Sequence, residues 1–406
     1  MAASLVSALT VAQALDKVLD GVEPLAAEPI AIEKAGGRVL ALSLAATLTQ
    51  PPFTASAMDG YAVRGADVSA HPVTLHVIGE AAAGHPVAVA LKPGEAVRIF
   101  TGASLPDGAD AVVIQENCAR DGDRVVVREG PVDPDHVRAR GGDFSHGQVL
   151  LDAGRRIGAR ELCLAAAMGH GELSVRCRPR VAIIATGDEL VLPGARPGAG
   201  QIVCSNHLGI AVLVEAAGGL ARFIGIARDT RASLEAHIAD AADADVVVTI
   251  GGASVGDHDL VGPVLGDRGL DLAFWKIAMR PGKPLMFGRL GWQRVIGLPG
   301  NPVSSLICAR IFLVPLIHAL LGRGRETDRP RLLPVSVALD GNGPRAHYMR
   351  ATTHVDTDGV ARVTPVRSQD SSLLSPLADA DCLIIRPIGA KAAAAGTNVP
   401  VLPLGL

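Results

Sequence analysis

Four short apolar runs, Val181 to Ala185, Phe223 to Ala227, Val246 to Ile250 and Val295 to Leu298, constrain this chain more than any other feature. Each has strand length, is too continuous to leave one face in water, and is separated from the next by helical periodicity. That is the pattern of parallel strands buried on both faces of an open α/β sheet. Ligands of such sheets bind beyond the carboxyl ends of the strands. The residues there are Thr186-Gly187-Asp188-Glu189, Arg228-Asp229, the stretch from Gly251 to Asp259, and Pro299-Gly300-Asn301-Pro302. Alone, each is an ordinary turn or helix start. Together they form a rim of glycine N–H groups, hydroxyls and carboxylates suited to phosphate and a cation. Neither a Walker pattern nor Gly-x-Gly-x-x-Gly is present, which argues against an ordinary NTPase or nicotinamide-dinucleotide enzyme. After Leu272 to Trp275 come Lys276, Arg280 and Lys283, the last two within Arg280-Pro281-Gly282-Lys283-Pro284, a stiff basic loop suited to an oxyanion. Carboxylates beside phosphate call for a bridging hard cation, Mg2+, with Asp229, Asp257 and Asp259 as its expected ligands.

The 406 residues exceed one domain, and the remainder reads as three further units. Residues 1–50 with 144–178 form a mixed α/β N-terminal region. There Thr10 caps a helix bearing Val11, Leu15, Val18 and Leu19, Gly21 stops it, a second helix is expected over Ile32 to Leu42, and a third runs from Ala159 to Met168. Residues 51–143 hold short β runs between Pro, Gly and Asp turns, an inserted β domain. The α/β sheet occupies 179–326, and 327–406 is a β domain with extended runs at Leu332 to Leu339, Val360 to Val366 and Cys382 to Pro387. Hydrophobic residues make up 49% and aromatics only 3%, with 46 glycines and 27 prolines, so small aliphatic packing and tight turns are expected throughout.

Val303 to Leu321 approaches membrane-spanning length, but Arg310, Pro315 and His318 interrupt it, so a buried helix and no membrane contact are expected. Lys and Arg (38) nearly balance Asp and Glu (41) without charge runs, which excludes nucleic acid as the expected partner. Six scattered cysteines form no zinc or disulfide pattern, and the start has no secretory signature, so a cytoplasmic protein with reduced thiols is expected.

The string from Pro51 to Arg64, containing Met58-Asp59-Gly60-Tyr61, is followed by Ile99-Phe100-Thr101-Gly102-Ala103 and Arg138-Ala139-Arg140-Gly141-Gly142-Asp143. This series resembles the molybdopterin molybdenumtransferase family, which also includes the C-terminal domain of gephyrin. The resemblance continues through Thr186 to Leu190, Gly251 to Asp259, Arg280 to Pro284 and Gly297 to Pro302. It implies L-shaped subunits with a C-terminal β-barrel-like domain, paired as homodimers. It also implies insertion of molybdenum, from molybdate, into adenylylated molybdopterin with release of AMP, and transient contacts with molybdoenzymes or other cofactor-biosynthesis proteins.

On that resemblance and the rim argument, Asp59, Thr101, Asp143, Glu189, Lys276 and Arg280 are expected to be catalytic. Substrate binding falls to Arg138, Thr186, Gly187, Ser205, Asn206, Gly251, Gly252, Ser254, Gly256, Lys283, Pro299, Gly300, Asn301, Pro302, Arg350 and Ser371. The chain departs from the family's usual pattern at Cys204, Ile250, Ala253 and Arg280. Two alternatives are a molybdopterin adenylyltransferase, which needs only about 150–200 residues, and a gephyrin-like dimeric scaffold, for which no long linker or second module is present.

Overall fold

Helix α1 (Val11–Leu19) begins with a reciprocal cap: the Thr10 hydroxyl accepts the Gln13 N–H at 3.3 Å, and the Gln13 side-chain oxygen accepts the Thr10 N–H at 3.0 Å. The computed structural model describes residues 8–129, 132–252, 260–324 and 329–405. The second helix expected over Ile32 to Leu42 is corrected to a single 3-10 turn at Ile32–Lys34. Gly36 and Gly37 follow it, the latter at φ 80°, and Val39 and Leu40 bridge to Arg156 and Val175 instead. Ala27–Ala31 pairs antiparallel with Glu172–Arg176, and Leu44–Ala45 with Val149–Leu151, so the chain before residue 50 is hydrogen-bonded to the chain after 144.

Between them lie β1 (Gly60–Val63), β2 (Val73–Ala81), β3 (Glu95–Ile99), β4 (Ala111–Ile114), β5 (Cys118–Asp121) and β6 (Arg124–Val127). They form one sheet in the order β4-β1-β3-β2-β6-β5, in which only β2 and β3 are parallel. Side chains alternate: Tyr61, Val63, Leu75 and Val113 fill one face, Ala62, Val97, Ile99 and Val112 the other.

Helix α2 (Ala159–Ala167) carries its own cap, with Glu161 accepting the Gly158 N–H at 3.0 Å and Arg155 Nη2 at 2.7 Å. It stops after Met168, where Gly169 adopts φ 95°.

The α/β unit runs β7 (Arg180–Thr186), α3 (Asn206–Ala216), β8 (Leu220–Ala227), α4 (Arg231–Asp240), β9 (Val246–Ile250), α5 (Val261–Asp267), β10 (Asp271–Trp275), β11 (Met279–Arg280), β12 (Met286–Leu290), β13 (Gln293–Leu298) and α6 (Pro302–Leu320). Its sheet order is β8-β7-β9-β13-β12-β10, the first four strands parallel and the last two antiparallel. One face packs Ile183, Val248 and Ile296 against α1, α3 and α6; the other packs Ile184, Val247 and Val295 against Leu234, Ile238, Val264 and Leu265.

Helix α6 is, by length and composition, apolar enough to cross a membrane. Here it is mostly buried within the first of these cores, with Arg310 and His318 buried too. Its turn over Ala309–Leu313 widens to a π-helix just before Pro315. That opening relieves the clash a proline ring makes with the carbonyl four residues back.

Last come β14 (Arg331–Pro334), β15 (Ala346–Val355), β16 (Ala361–Pro365), β17 (Cys382–Arg386) and β18 (Asn398–Pro403). β15 carries β16, β17 and, in parallel, β11 of the α/β unit; β17, β18 and β14 then follow in turn. Val335 bridges Val363, and the Ser336 N–H donates to the Val363 carbonyl at 2.9 Å, which joins the β14 end to β16 and closes a small barrel around Val335, Ala351, Val363, Ile384 and Val401.

Glu161 gives this scaffold an acid-sensitive joint. The Arg155 guanidinium first, then backbone N–H groups including that of Gly158, hold its carboxyl down from 4.5 to about 2. A depressed carboxyl contributes stability above its unfolded pKa, lost as pH falls through the folded one. We therefore expect Glu161→Gln to unfold at lower temperature than the wild type at pH 7. The gap should narrow from about pH 4.5 downward and close near pH 2, as followed by circular dichroism melts across that range.

Candidate functional site

Parallel pairing brings the ends of β8, β7, β9 and β13 to one edge, where a cleft of about 830 Å³ opens. Thr186, Gly187 and Glu189 line it from the end of β7, Asp229 from β8, Gly251 and Gly252 from β9, and Pro299 to Pro302 from β13, with Ser205 and Asn206 at the start of α3. The loops are laced together. Gly187 N–H donates to the Ala227 carbonyl at 3.1 Å, Thr186 Oγ1 to the Ile250 carbonyl at 3.3 Å, Gly251 N–H to the Leu298 carbonyl at 3.0 Å, and Asn206 Nδ2 to the Gly300 carbonyl at 2.8 Å. Gly251 and Gly252 have φ of 90° and 61°, and an added Cβ would meet Thr186 Oγ1 at 2.9 Å and Val261 Cγ2 at 2.5 Å. No other residue type fits there.

Two helices begin at this cleft, and neither has a side-chain cap. Ser205 precedes α3 and Asn301 precedes α6, yet no cap hydrogen bond is made by either. At α6 Pro302 has no N–H and Val303 donates to the Ser371 carbonyl at 3.2 Å, so it is the first turn of α3, with the positive end of its dipole, that faces the opening, the standard setting for a phosphate. Asp229 and Asp188 hold one another's backbone, each carboxylate accepting the other's N–H at 3.3 Å. Ser254, Gly256, Asp257 and Asp259, also expected here, lie outside the described residues. Among the described residues no three His, Cys, Asp or Glu side chains converge as a protein-only metal cage. Leu190, Ile202, Val203, Cys204 and Leu374 give the same cleft an apolar wall.

A second cleft, about 560 Å³, adjoins the first and shares Pro284 and Asn301 with it. Arg280 and Lys283 line it from the basic loop, Arg345, Gln369, Asp370 and Ser371 from the C-terminal barrel. Arg280, Lys283 and Arg345 are exposed, and no carboxylate partner is found for them among the described residues. His347, paired with Arg280 in register, reports the local field: burial first, then the charges of Arg280, Arg345, Arg350 and Arg386, push it down to about 4. A neutral imidazole amid four guanidinium groups marks a corner poised for an anion.

The basic loop is stiffened from three sides. Lys276 N–H donates to the Leu285 carbonyl and Ile277 N–H to the Lys283 carbonyl, both at 3.0 Å, while Ala278 N–H reaches the Leu9 carbonyl at 2.7 Å. Lys276 itself, at φ 88°, is the one non-glycine with positive φ among the described residues. It stands at the base of the loop and lines neither cleft.

Arg350 is a correction to the expected substrate contacts. It is 1% exposed, and its guanidinium donates to the carbonyls of Leu373 (2.9 Å), Ser368 (2.8 Å) and Asp370 (2.8 Å). It therefore shapes the loop that presents Ser371. Arg345, Gln369 and Asp370 were missed by sequence reasoning, since a Gly-Pro-Arg turn and a polar run carry no signal of what they face.

Asp59, Thr101, Arg138 and Asp143 line neither cleft and gather instead along the segment Gln50 to Asp59. Asp59 Oδ1 accepts both the Thr101 N–H (2.8 Å) and its hydroxyl (2.9 Å), which together with Arg98 keep the carboxyl below the usual aspartate range. Arg138 pairs with Ala55 in register, and the Asp143 N–H donates to the Gln50 carbonyl at 3.0 Å. Phe53 and Met58 are exposed nearby in sequence, at 42% and 39%.

Residues 9–169 match the MoeA N-terminal region (domain I and II), 182–319 a probable molybdopterin binding domain, and 332–404 the MoeA C-terminal region (domain IV). Molybdopterin molybdenumtransferase of a Nostoc species is 37% identical, covering 91% of this chain and 87% of its own. That of Haemophilus influenzae is 34% identical over 97% and 98%. Among solved structures, a molybdopterin biosynthesis MoeA protein of Pyrococcus horikoshii superposes with a TM-score of 0.82 at 32% identity, covering 98% of this chain and 99% of that one.

The basic loop rests on α6 through Gly282, at φ 104°, whose added Cβ would stand 2.3 Å from the buried Cys308 Sγ. Gly282→Ala is expected to cost about 1–3 kcal/mol of stability through overpacking and backbone strain. Adding Cys308→Ala should recover only the steric part. Denaturant unfolding of the three proteins checks this.

Proposed function

The chain belongs to the molybdopterin molybdenumtransferase family, and on that premise we propose that it transfers molybdenum from molybdate to the dithiolene of adenylylated molybdopterin, releasing AMP. One observation carries the reading: a glycine rim with the uncapped start of α3 directly adjoins a cleft whose three cations have no carboxylate partner among the described residues. The first suits a pyrophosphate, the second a tetrahedral dianion, and the shared wall sets them side by side.

The Gly252 N–H and the first-turn N–H groups of α3 hold the phosphates. Arg280, Lys283 and Arg345 hold molybdate as substrate, and as charge shifts during cleavage of the phosphoanhydride they are already in place to meet it. The apolar wall excludes water beside the reacting groups. Glu189 and Asp59 are our candidates for positioning the water that cleaves the anhydride.

The rim's donors are all hard oxygens, and Mg2+ is ordinarily held by one or two carboxylates together with substrate phosphates, so the donor set fits it. Asp229 would hold it, with Asp257 and Asp259 from outside the described residues. When bound, it neutralises phosphate charge beside those carboxylates.

We further propose a homodimer in which Asp59, Thr101, Arg138 and Asp143 of one subunit complete the clefts of the other. That they line neither cleft of their own chain supports this, as do the exposed Phe53 and Met58 beside them in sequence. All six cysteines are free, which suits the reducing cytoplasm.

Purified protein given adenylylated molybdopterin, Mg2+ and molybdate should release AMP and form cofactor that activates an apo-molybdoenzyme. AMP release indifferent to molybdate would reject molybdenum transfer. Lys283→Ala should raise the molybdate Kd about tenfold, the scale of one charge-assisted contact, and added salt should weaken wild-type binding in parallel. Co-expressed Asp59→Asn and Lys283→Ala chains should regain part of the activity as heterodimers. Verified heterodimers without recovery would defeat the shared site.

A further inference from the structure

We propose that Arg98 is a positioning residue for Asp59: together with Gln115 it clamps the main chain at Asp59 and Gly60, and so fixes where the free oxygen of the Asp59 carboxylate points. The inference rests on the reading of Asp59 as part of the reacting site.

Strand β1 starts at Gly60 and lies between β3 and β4, antiparallel to both. Gly60 is opposite Ile99 on one side and Ile114 on the other, so Asp59 precedes β1 where its two neighbours end. Each neighbour gives Asp59 a tie. Beyond β3, Thr101 donates its N–H and its hydroxyl to Oδ1; beyond β4, the Gln115 N–H donates to the Asp59 carbonyl at 3.0 Å. Oδ2 takes no hydrogen bond from any described residue.

Arg98 joins these ties across β1. Its Nη1 donates to the Gly60 carbonyl at 2.9 Å and its Nη2 to Gln115 Oε1 at 2.7 Å, so one planar fork spans the residue after Asp59 and the residue that holds the Asp59 carbonyl. The rings of Tyr61, opposite Arg98 in register, and of Phe100 restrict where the guanidinium can swing. Gly60 allows the strands to close up around this point, since an added Cβ would stand 2.0 Å from the Val113 carbonyl oxygen. A direct ion pair with Asp59 would occupy the carboxylate. With the fork on two neutral acceptors instead, Oδ2 stays open while the backbone that carries it cannot rock. Loss of the clamp then leaves the carboxylate present but misplaced, which lowers rate more than binding.

The test joins crystallography to kinetics on the full-length protein, each variant first shown to be folded by thermal unfolding. Arg98→Lys keeps the charge but has no fork to span both acceptors. Arg98→Met removes the charge as well, and Gln115→Leu removes only the side-chain acceptor. In crystals of all three, the Asp59 carboxylate is expected to leave the Thr101 hydroxyl or to take more than one conformer. In molybdate-dependent AMP release their kcat should fall about tenfold or more with KM within about twofold of the wild type. Gln115→Glu, which keeps the acceptor, should stay near wild-type kcat. In an Asp59→Asn background Arg98→Lys should lower kcat no further, because the two residues act as one unit. A carboxylate that keeps its place in these variants refutes the inference, as does an equal loss in both backgrounds. Arg98→Lys at wild-type activity beside an impaired Arg98→Met would show that charge alone matters, and would also overturn it. Should the Arg98 variants fail to fold, Gln115→Leu decides. If the wild type releases no AMP, the reading of the function falls, and the crystal structures decide the positioning by themselves.

Discussion

Parallel hydrogen bonding from β8 through β7 and β9 to β13 places every loop of the glycine rim. In register, Thr186 lies opposite Ala227, Ala185 opposite Ile250, and Ile250 opposite Leu298. Strands that run the same way and stay in step must end at the same edge. Because both faces of this sheet are packed, a slip by one residue would exchange the side chains of its two cores at each step. The tightness of the rim follows: an added Cβ on Gly251 would stand 2.9 Å from Thr186 Oγ1 and 3.0 Å from the Thr186 carbonyl oxygen. Donors converge there without any side chain having to reach.

The basic cleft depends on a different kind of pairing. The loop that carries Arg280 and Lys283 belongs to the α/β unit, but its strand β11 adds in parallel to β15 of the barrel. Arg345 and Ser371 arrive from the barrel side. Cations from two folding units are thus held near one another by backbone hydrogen bonds rather than by carboxylate partners. Like charges brought together this way cost stability, and His347 shows how the fold lowers the cost by keeping its imidazole neutral. An arriving dianion recovers that repulsion as binding free energy.

Asp59 and its neighbours follow the same economy with opposite sign. The Thr101 N–H and hydroxyl hold the carboxylate ionised and aimed, on a sheet whose nearest guanidinium, Arg98, is occupied by the Gly60 carbonyl and the Gln115 side chain at 2.9 and 2.7 Å. Arg98 also lies over the Tyr61 and Phe100 rings, 5.2 and 4.7 Å from their centroids. It therefore acts on Asp59 through its field rather than by direct contact. A preorganised acid held this way lines neither cleft of its own chain.

The sequence alone determined the α/β class, the four rim strands and most of the residues around them, because strand length, continuous apolarity and the glycines after each run are local properties. The family resemblance rested on strings equally local. Ile32 to Leu42 misled because apolar spacing there was read without the break that Gly36 and Gly37 impose. Arg350 came from the resemblance alone, and only packing shows its guanidinium held by three backbone carbonyls. The basic cleft itself was half legible: Arg280 and Lys283 announced themselves in a proline-bound loop, whereas Arg345, Gln369 and Asp370, more than sixty residues onward, did not. Their meeting is decided by β11 joining β15 and by the barrel closing through Val335 and Val363. Those contacts are long-range backbone hydrogen bonds, which leave no periodicity in the chain and exist only once both units have folded against each other.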